Sequence, residues 1–207
     1  GNGLVSTWYN QTGGINLTQN ISTSQAQIVN NGTLIVDDNN KPKIVYDGND
    51  DYFLYENGYA FELSVNDYSC YIKLDSTQSI YIASEGDVES PYSSNIIIGG
   101  VPGQKSILWT NGEETGILPA NFDGIMSFDY QVSSKNIQAY INNDSPTLRT
   151  GATINTEVLN RTAFGTRADL ISSFFNGSMQ EIIGFKIDKS SERNDLITNI
   201  NNYYNVY

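Results

Sequence analysis

The spacing of apolar residues changes once along this chain, close to residue 188. From Met179 to Ile187 the chain alternates, with Met179, Glu181, Ile183, Phe185 and Ile187 against Gln180, Ile182, Gly184 and Lys186. A period of two is the mark of a strand with one buried face. Beyond Asp188 the spacing becomes three and four, and Leu196, Ile197, Ile200, Tyr203 and Tyr204 form one stripe, as on an amphipathic helix. Ser190 or Ser191 stands where an N-cap is expected. Glu192 and Asp195 fall in or near the first turn, where the helix dipole favours carboxylates. Asn199, Asn201 and Asn202 fill the outer face, and their weak helix propensity means that packing has to hold the helix, residues 190–205. The expectation is a plug over an open end or edge of a β-sheet structure.

Upstream, the chain reads as strand and turn. The clearest hairpin lies within residues 124–144. Met126, Phe128, Tyr130 and Val132 face one way, and Ser127, Asp129 and Gln131 the other. Ser133 to Lys135 turns the chain, and Ile137, Ala139 and Ile141 face inward on the return, with Asn142-Asn143 starting the next turn. Thr33 to Val36 and Lys43 to Tyr46 flank a polar Asp37-Asp38-Asn39-Asn40 loop, and Pro42 sits at a strand entrance, where its missing N–H does least harm. Gly48-Asn49 turns into a strand through Tyr52 to Tyr55. Asn57-Gly58 reads as a tight hairpin turn into the alternating Phe61, Leu63 and Val65. Ser69–Asp75 and Gln78–Glu85 form the next pair of strands, followed by short runs at Ile96–Gly100, Lys105–Thr110 and Glu157–Gly165. Asn176-Gly177 reads as a turn before the closing strand.

About a dozen short strands with frequent turns specify an all-β antiparallel sandwich, closed by one short helix. Residues 33–188 form the sandwich. Residues 1–32 are polar, with a turn at Gly13-Gly14 and apolar anchors at Trp8, Tyr9, Ile15, Leu17, Ile28 and Val29. They read as an irregular arm with one short strand near Ala26 to Val29. A length of 207 residues suits a single domain. The opening GNGLVSTWYN reads as part of a longer protein.

Composition narrows the chemistry. Apolar residues make up 39%, enough for a core, so the many Asn, Ser and Thr do not signal disorder. The 14 tyrosines against 8 phenylalanines suit half-buried strands, with rings inside and hydroxyls at the rim. A formal net charge of -12 argues against nucleic acid and anionic membranes as partners, and no stretch is apolar enough to insert in a bilayer. The sequence has no histidine, which excludes Ser-His-Asp and Cys-His catalysis and any His-ligated metal. The one cysteine, Cys70, shares a strand face with Ile72 and Leu74 and reads as a buried thiol.

Four stretches carry a resemblance. Lys41 to Phe53 (KPKIVYDGNDDYF) resembles the opening strand and turn of the laminin-G-like branch of the concanavalin A-like lectin/glucanase superfamily. Phe175 to Tyr204, with its Phe-x-Gly-x-x-Gln-Glu strand, Ser-x-Glu-Arg helix start and Tyr203-Tyr204, is similar to that branch's last strand and helix. Asn136 to Asp144 resembles a strand that carries a Tyr-x-Asn-Gly turn, with Asn143 in place of the glycine. Val5 to Gln19 (VSTWYNQTGGINLTQ) resembles a segment of phage tail and other virion proteins and of fungal α-L-arabinofuranosidases, with Asn10 for its Asp and Thr12 for its Ser. The resemblance implies a fold, a jelly-roll sandwich, more than an activity.

Three sets of residues are candidates for chemistry. Glu85, Asp87 and Glu89 look like the Glu-x-Asp-x-Glu motif of laminarinase-type glucanases, and glycoside hydrolysis needs two carboxylates about 5 to 10 Å apart. Gly86 within the motif and Pro91 after it make the segment read as a solvated acidic loop instead. Asp47, Asn49, Asp50 and Asp51 are oxygen-rich, and the resemblance implies a possible Ca²⁺ at a loop rim, although turn geometry explains the same residues. Trp109 with Asn111, and Tyr92 in the loop before it, could stack and hydrogen-bond a sugar. The expectation is a non-catalytic module of a virion or cell surface. It would recognise glycans or a host-surface receptor, or decorate a particle beside other virion subunits. A glycoside hydrolase and a purely structural module are the alternatives.

Overall fold

The computed structural model describes residues 1–55, 60, 61, 63, 65–78, 81–86, 94–99, 106–110, 113–117, 119, 121–152 and 161–207, without the side chains of 77, 78, 94–97, 106–110, 113, 114 and 117. The chain is an antiparallel jelly-roll sandwich of two sheets with one short C-terminal helix, as the sequence predicts. The first sheet has nine strands. In spatial order they are Gly3–Leu4, Gln27–Asn30, Ile44–Asp47, Asn176–Phe185, Tyr68–Gln78, Phe122–Gln131, Asn136–Ile141 and Thr147–Arg149, with Thr33–Leu34 pairing on Gln27–Asn30. The second runs Glu113–Ile117, Ser106–Thr110, Ser94–Ile98, Ala83–Gly86, Arg161–Phe164, Phe53–Tyr55, Leu17–Thr18 and Thr7–Trp8. Ser69–Asp75 and the described strand of the second run, Ala83–Gly86, therefore belong to different sheets rather than pairing with each other.

The core between the sheets follows the alternation. Cys70, Ile72 and Leu74 meet Met126, Phe128 and Tyr130 and then Ile137 and Ala139, all buried. Phe53, Ala83, Ile98 and Phe164 close the core from the second sheet. Aromatic rings meet edge to face, Tyr46 with Phe175 at 5.4 Å and Phe61 with Tyr68 at 5.6 Å, the arrangement their quadrupoles favour. Burial pushes the Cys70 thiol well above its ordinary range, so it is an inert core group.

Several expectations are corrected. Residues 1–32 carry the short strands Gly3–Leu4, Thr7–Trp8, Leu17–Thr18 and Gln27–Asn30, which join both sheets. Phe61 and Leu63 are buried, but they lie outside regular strand, and Val65 is 69% exposed. The Asn57-Gly58 turn lies outside the described residues, as do positions 157–160 of the strand expected at Glu157–Gly165. Asn142, not Asn143, takes the left-handed conformation, at φ 50°. Asn176-Gly177 is no turn but the start of the closing strand. A Cβ at Gly177 would run into the Asp75 carbonyl oxygen, so glycine is there to let two strands approach.

The closing strand also breaks its own alternation. Met179 pairs with Leu74, yet Glu181 pairs with Lys73, leaving Gln180 as an extra residue. This bulge exchanges the two faces. Met179 and Ile182 pack in the inter-sheet core, while Ile183 and Phe185 reach the opposite side, where the helix lies.

A 3₁₀ turn, Ser190–Glu192, leads into α1, Arg193–Tyr204. Neither serine caps the α-helix, whose N-cap is Glu192 without a side-chain bond. The Asp188 carboxylate instead accepts the Ser190 N–H at 2.8 Å. Ile197, Ile200 and Tyr204 bury against Tyr71 and Ile125. The helix thus covers the outer face of the nine-stranded sheet, not an end or edge. Tyr203, expected in the buried stripe, is 55% exposed, with the Lys41 ammonium 3.8 Å above its ring.

Candidate functional site

The oxygen-rich turn after Ile44–Asp47 is held by its own carboxylates. Asp47 accepts the N–H groups of Asn49 at 2.8 Å and Asp50 at 3.4 Å on one oxygen, and the Asn49 side-chain amide at 3.0 Å on the other. Asp51 accepts the Asp47 N–H at 2.9 Å, and Asp50 accepts the Ser24 hydroxyl at 3.3 Å. Burial works against the charge on Asp47, but these bonds outweigh it and hold the carboxyl below the usual range. Burial pushes Asp51 the other way, up to about 6, with Asp47 and Asp50 adding repulsion. Oxygens of Asp47, Asp50 and Asp51 lie within 4.8 Å of one another, a donor set suited to a hard cation such as Ca²⁺. The bonds of an Asx turn already engage these carboxylates. Asn49, expected as a ligand, turns its amide N–H to Asp47.

Glu85 is not in a solvated loop. It sits in the strand Ala83–Gly86, zipped between Ser94–Ile98 and Arg161–Phe164, and is 0% exposed. One carboxylate oxygen accepts the Phe61 N–H and the Thr162 hydroxyl, both at 2.9 Å. Pairing on both edges overrides the local breaker signal of Gly86. A carboxylate so enclosed ties two elements of the sandwich together. Asp87 and Glu89 lie outside the described residues.

Trp109 stands in the strand Ser106–Thr110, opposite Ile97 and Glu114. Its side chain, Asn111 and Tyr92 lie outside the described residues.

The structure brings together residues that the sequence did not. Ser178, Asp75 and Asp123 occupy one row across three neighbouring strands, on the face that α1 partly covers. They line a polar pocket of about 100 Å³ with Asp37, Lys43 and Gln180. Lys43 Nζ lies 3.6 Å from Asp75 Oδ2, and the buried Lys73 bonds to Asp123. The Gln180 amide donates to Asp37 at 2.9 Å. No motif announces this row, because register creates it.

Compared by sequence, the chain matches no family profile and no curated protein. By structure it is similar to a GH54 α-L-arabinofuranosidase soaked with a cyclic sulfate inhibitor, with a TM-score of 0.62 and 14% identity over 96% of this chain and 51% of that one. It is similar to domain 4 of AbnA, a GH43 extracellular arabinanase from Geobacillus stearothermophilus in complex with arabinotriose, with a TM-score of 0.51 and 16% identity over 91% of this chain and 82% of that one. NanB with Optactamide gives a TM-score of 0.52 and 14% identity over 73% of this chain and 27% of that one. The chain thus spans 51% of the arabinofuranosidase's length and 27% of that of NanB. The likeness is one of fold, and these neighbours are carbohydrate-active proteins.

Proposed function

We propose that this chain is a non-catalytic glycan-recognition module, carried on a virion or another exposed surface. The observation that carries the reading is the sandwich itself. Its likeness extends over 91% of this chain to a domain bound to arabinotriose. The burial of Glu85 supports binding over hydrolysis, since the first acid of the glucanase-like triplet is engaged inside the sandwich. In this reading Trp109 stacks on a sugar face, with Asn111 and Tyr92 supplying hydrogen bonds at the rim. Single contacts of this kind are weak, and display of many copies multiplies them.

A glycan array probed with the protein clustered on a multivalent carrier tests the proposal. Retention of a set of related glycans, reduced in Trp109→Ala, is the expected result. An array without hits, alongside tight assembly onto a particle, would replace the reading with a purely structural module.

A further inference from the structure

We infer that the pocket on the helix side of the nine-stranded sheet is a second ligand site, and that it takes the vicinal-diol edge of a neutral sugar or polyol. The sugar arm rests on the glycan-recognition reading above; the diol chemistry stands on the pocket alone.

The central residue is Ser178. It is 3% exposed, lines the pocket, and its hydroxyl has no hydrogen-bond partner among the described residues. A buried hydroxyl without a partner destabilises the fold, a cost that a ligand hydroxyl in the pocket would remove. Beside it on the same row stand Asp75 and, one strand further, Asp123. The opposite wall is braced. The Gln180 amide reaches both Asp37, at 2.9 Å, and the Pro42 carbonyl, at 3.4 Å. Asp37 in turn accepts the N–H groups of Asn39 at 2.9 Å and Lys41 at 2.8 Å. Burial pushes against its charge, yet these bonds keep Asp37 below the usual carboxylate range, so it is an ionised acceptor at neutral pH.

Charge selects the ligand class. Asp37, Asp38, Asp75 and Asp123 line the pocket with Lys43, and Lys73 holds Asp123 from behind. Four carboxylates against two ammonium groups repel an anion. A divalent cation meets the two ammonium groups, and the carboxylates do not converge. Among the described residues, the group of three acids close enough to share an ion is Asp47, Asp50 and Asp51, at another turn. A neutral diol suits both signs at once, since each hydroxyl can donate to a carboxylate and accept from an ammonium or from Ser178. Such charge-assisted bonds are the stronger kind. A volume of about 100 Å³ equals roughly three water molecules, enough for an edge with two hydroxyls and too little for a whole ring. Among the described residues no aromatic lines the pocket, so the site is hydrogen-bonding and weak, unlike the stacking rim proposed at Trp109.

Amide NMR titrations of the full chain test the inference, with arabinotriose, glycerol, methylammonium and Ca²⁺ as separate probes. Arabinotriose and glycerol should both shift the amides of Val45, Asp75 and Ser178. Loss of one charge-assisted bond in Asp75→Asn should weaken both by about tenfold. Ser178→Ala should weaken them severalfold while leaving the melting temperature equal or higher, because it removes a buried group without a partner. Shifts at these amides from methylammonium or Ca²⁺ but from neither diol would overturn the inference in favour of a cation site. Arabinotriose binding that both variants leave untouched would overturn the pocket and spare glycan recognition. A pocket that takes glycerol, in a chain that binds no glycan, would uphold the site and overturn the glycan reading. Silence with all four probes would overturn the site.

Discussion

On the strand Tyr68–Gln78, Cys70, Ile72 and Leu74 point into the sandwich, while Ser69, Tyr71, Lys73 and Asp75 point to the side that the helix partly covers. The two faces are stabilised by different means. Among the described residues the inner face packs into the apolar cluster between the sheets, so its contribution comes from area removed from water and varies little with pH. On the outer face Tyr71 and Ile125, with the partly buried Ile183 and Phe185, anchor Ile197, Ile200 and Tyr204. Around them lie buried polar groups. Ser69 donates to Asp129 at 2.5 Å and accepts the Lys189 N–H at 2.8 Å, linking the sheet to the chain that leads into the helix. The hydroxyls of Tyr71 and Ser127 and one Asp129 oxygen are buried without a hydrogen-bond partner among the described residues. Burial pushes Asp129 up to about 6, with Asp188 adding repulsion and Ser69 and Arg193 acting against it. The same strands therefore carry one dry face and one face that responds to protons.

Removing residues 189–207 should have the largest effect, because it uncovers Tyr71, Ile125, Ile183 and Phe185 together. The truncated chain should be insoluble or molten, and a cooperative melt at unchanged temperature would contradict the role given to the helix. Next, Phe128→Ala on the dry face should cost about 3–5 kcal/mol in urea denaturation, against about 2 kcal/mol for Ile200→Ala under the helix. Equal costs would erase the contrast between a core packed from all sides and a helix docked on one.

The pH dependence follows with its sign. Asp129 has a folded value of about 6, above that of an unfolded aspartate. The folded state therefore binds its proton more tightly. The resulting stabilisation is complete below the unfolded value and is lost as pH rises through about 6. Asp51 acts in the same direction, whereas Asp37, Asp47 and Asp188, held low, act in the other. Asp129→Asn isolates the one group. Its melting temperature relative to the parent should climb between pH 4.5 and 8 by an amount worth on the order of 1 kcal/mol, and a constant difference would refute the assignment. The smallest effect belongs to Lys41→Ala, which removes a cation over the exposed Tyr203 ring and should cost about 0.5 kcal/mol by thermal melting.

The dry face was legible in the sequence because period two reports directly on a buried sheet face, and residues 122–141 pair as their alternation predicts. The Asn31-Gly32 turn, with φ of 50° and 84°, joins Gln27–Asn30 to Thr33–Leu34 and carries a hairpin signal that a polar stretch masked. The Gln180 bulge was not legible, since one inserted residue leaves composition unchanged and swaps the face of everything after it. The candidate sites were least legible of all. Glu85 finds its partners 24 and 77 residues away, and the Ser178, Asp75 and Asp123 row exists only through strand register. What local pattern does convey is the turn chemistry of Asp47 to Asp51, which hydrogen bonds within four residues explain.

Mass spectrometry of a glycan that the protein retains, after prolonged incubation with it, tests the central claim most directly. Recognition without catalysis predicts the glycan recovered intact, with the same outcome for Glu85→Gln, whose carboxylate is enclosed in the sandwich. Cleavage by the parent chain that disappears in Glu85→Gln would contradict the account.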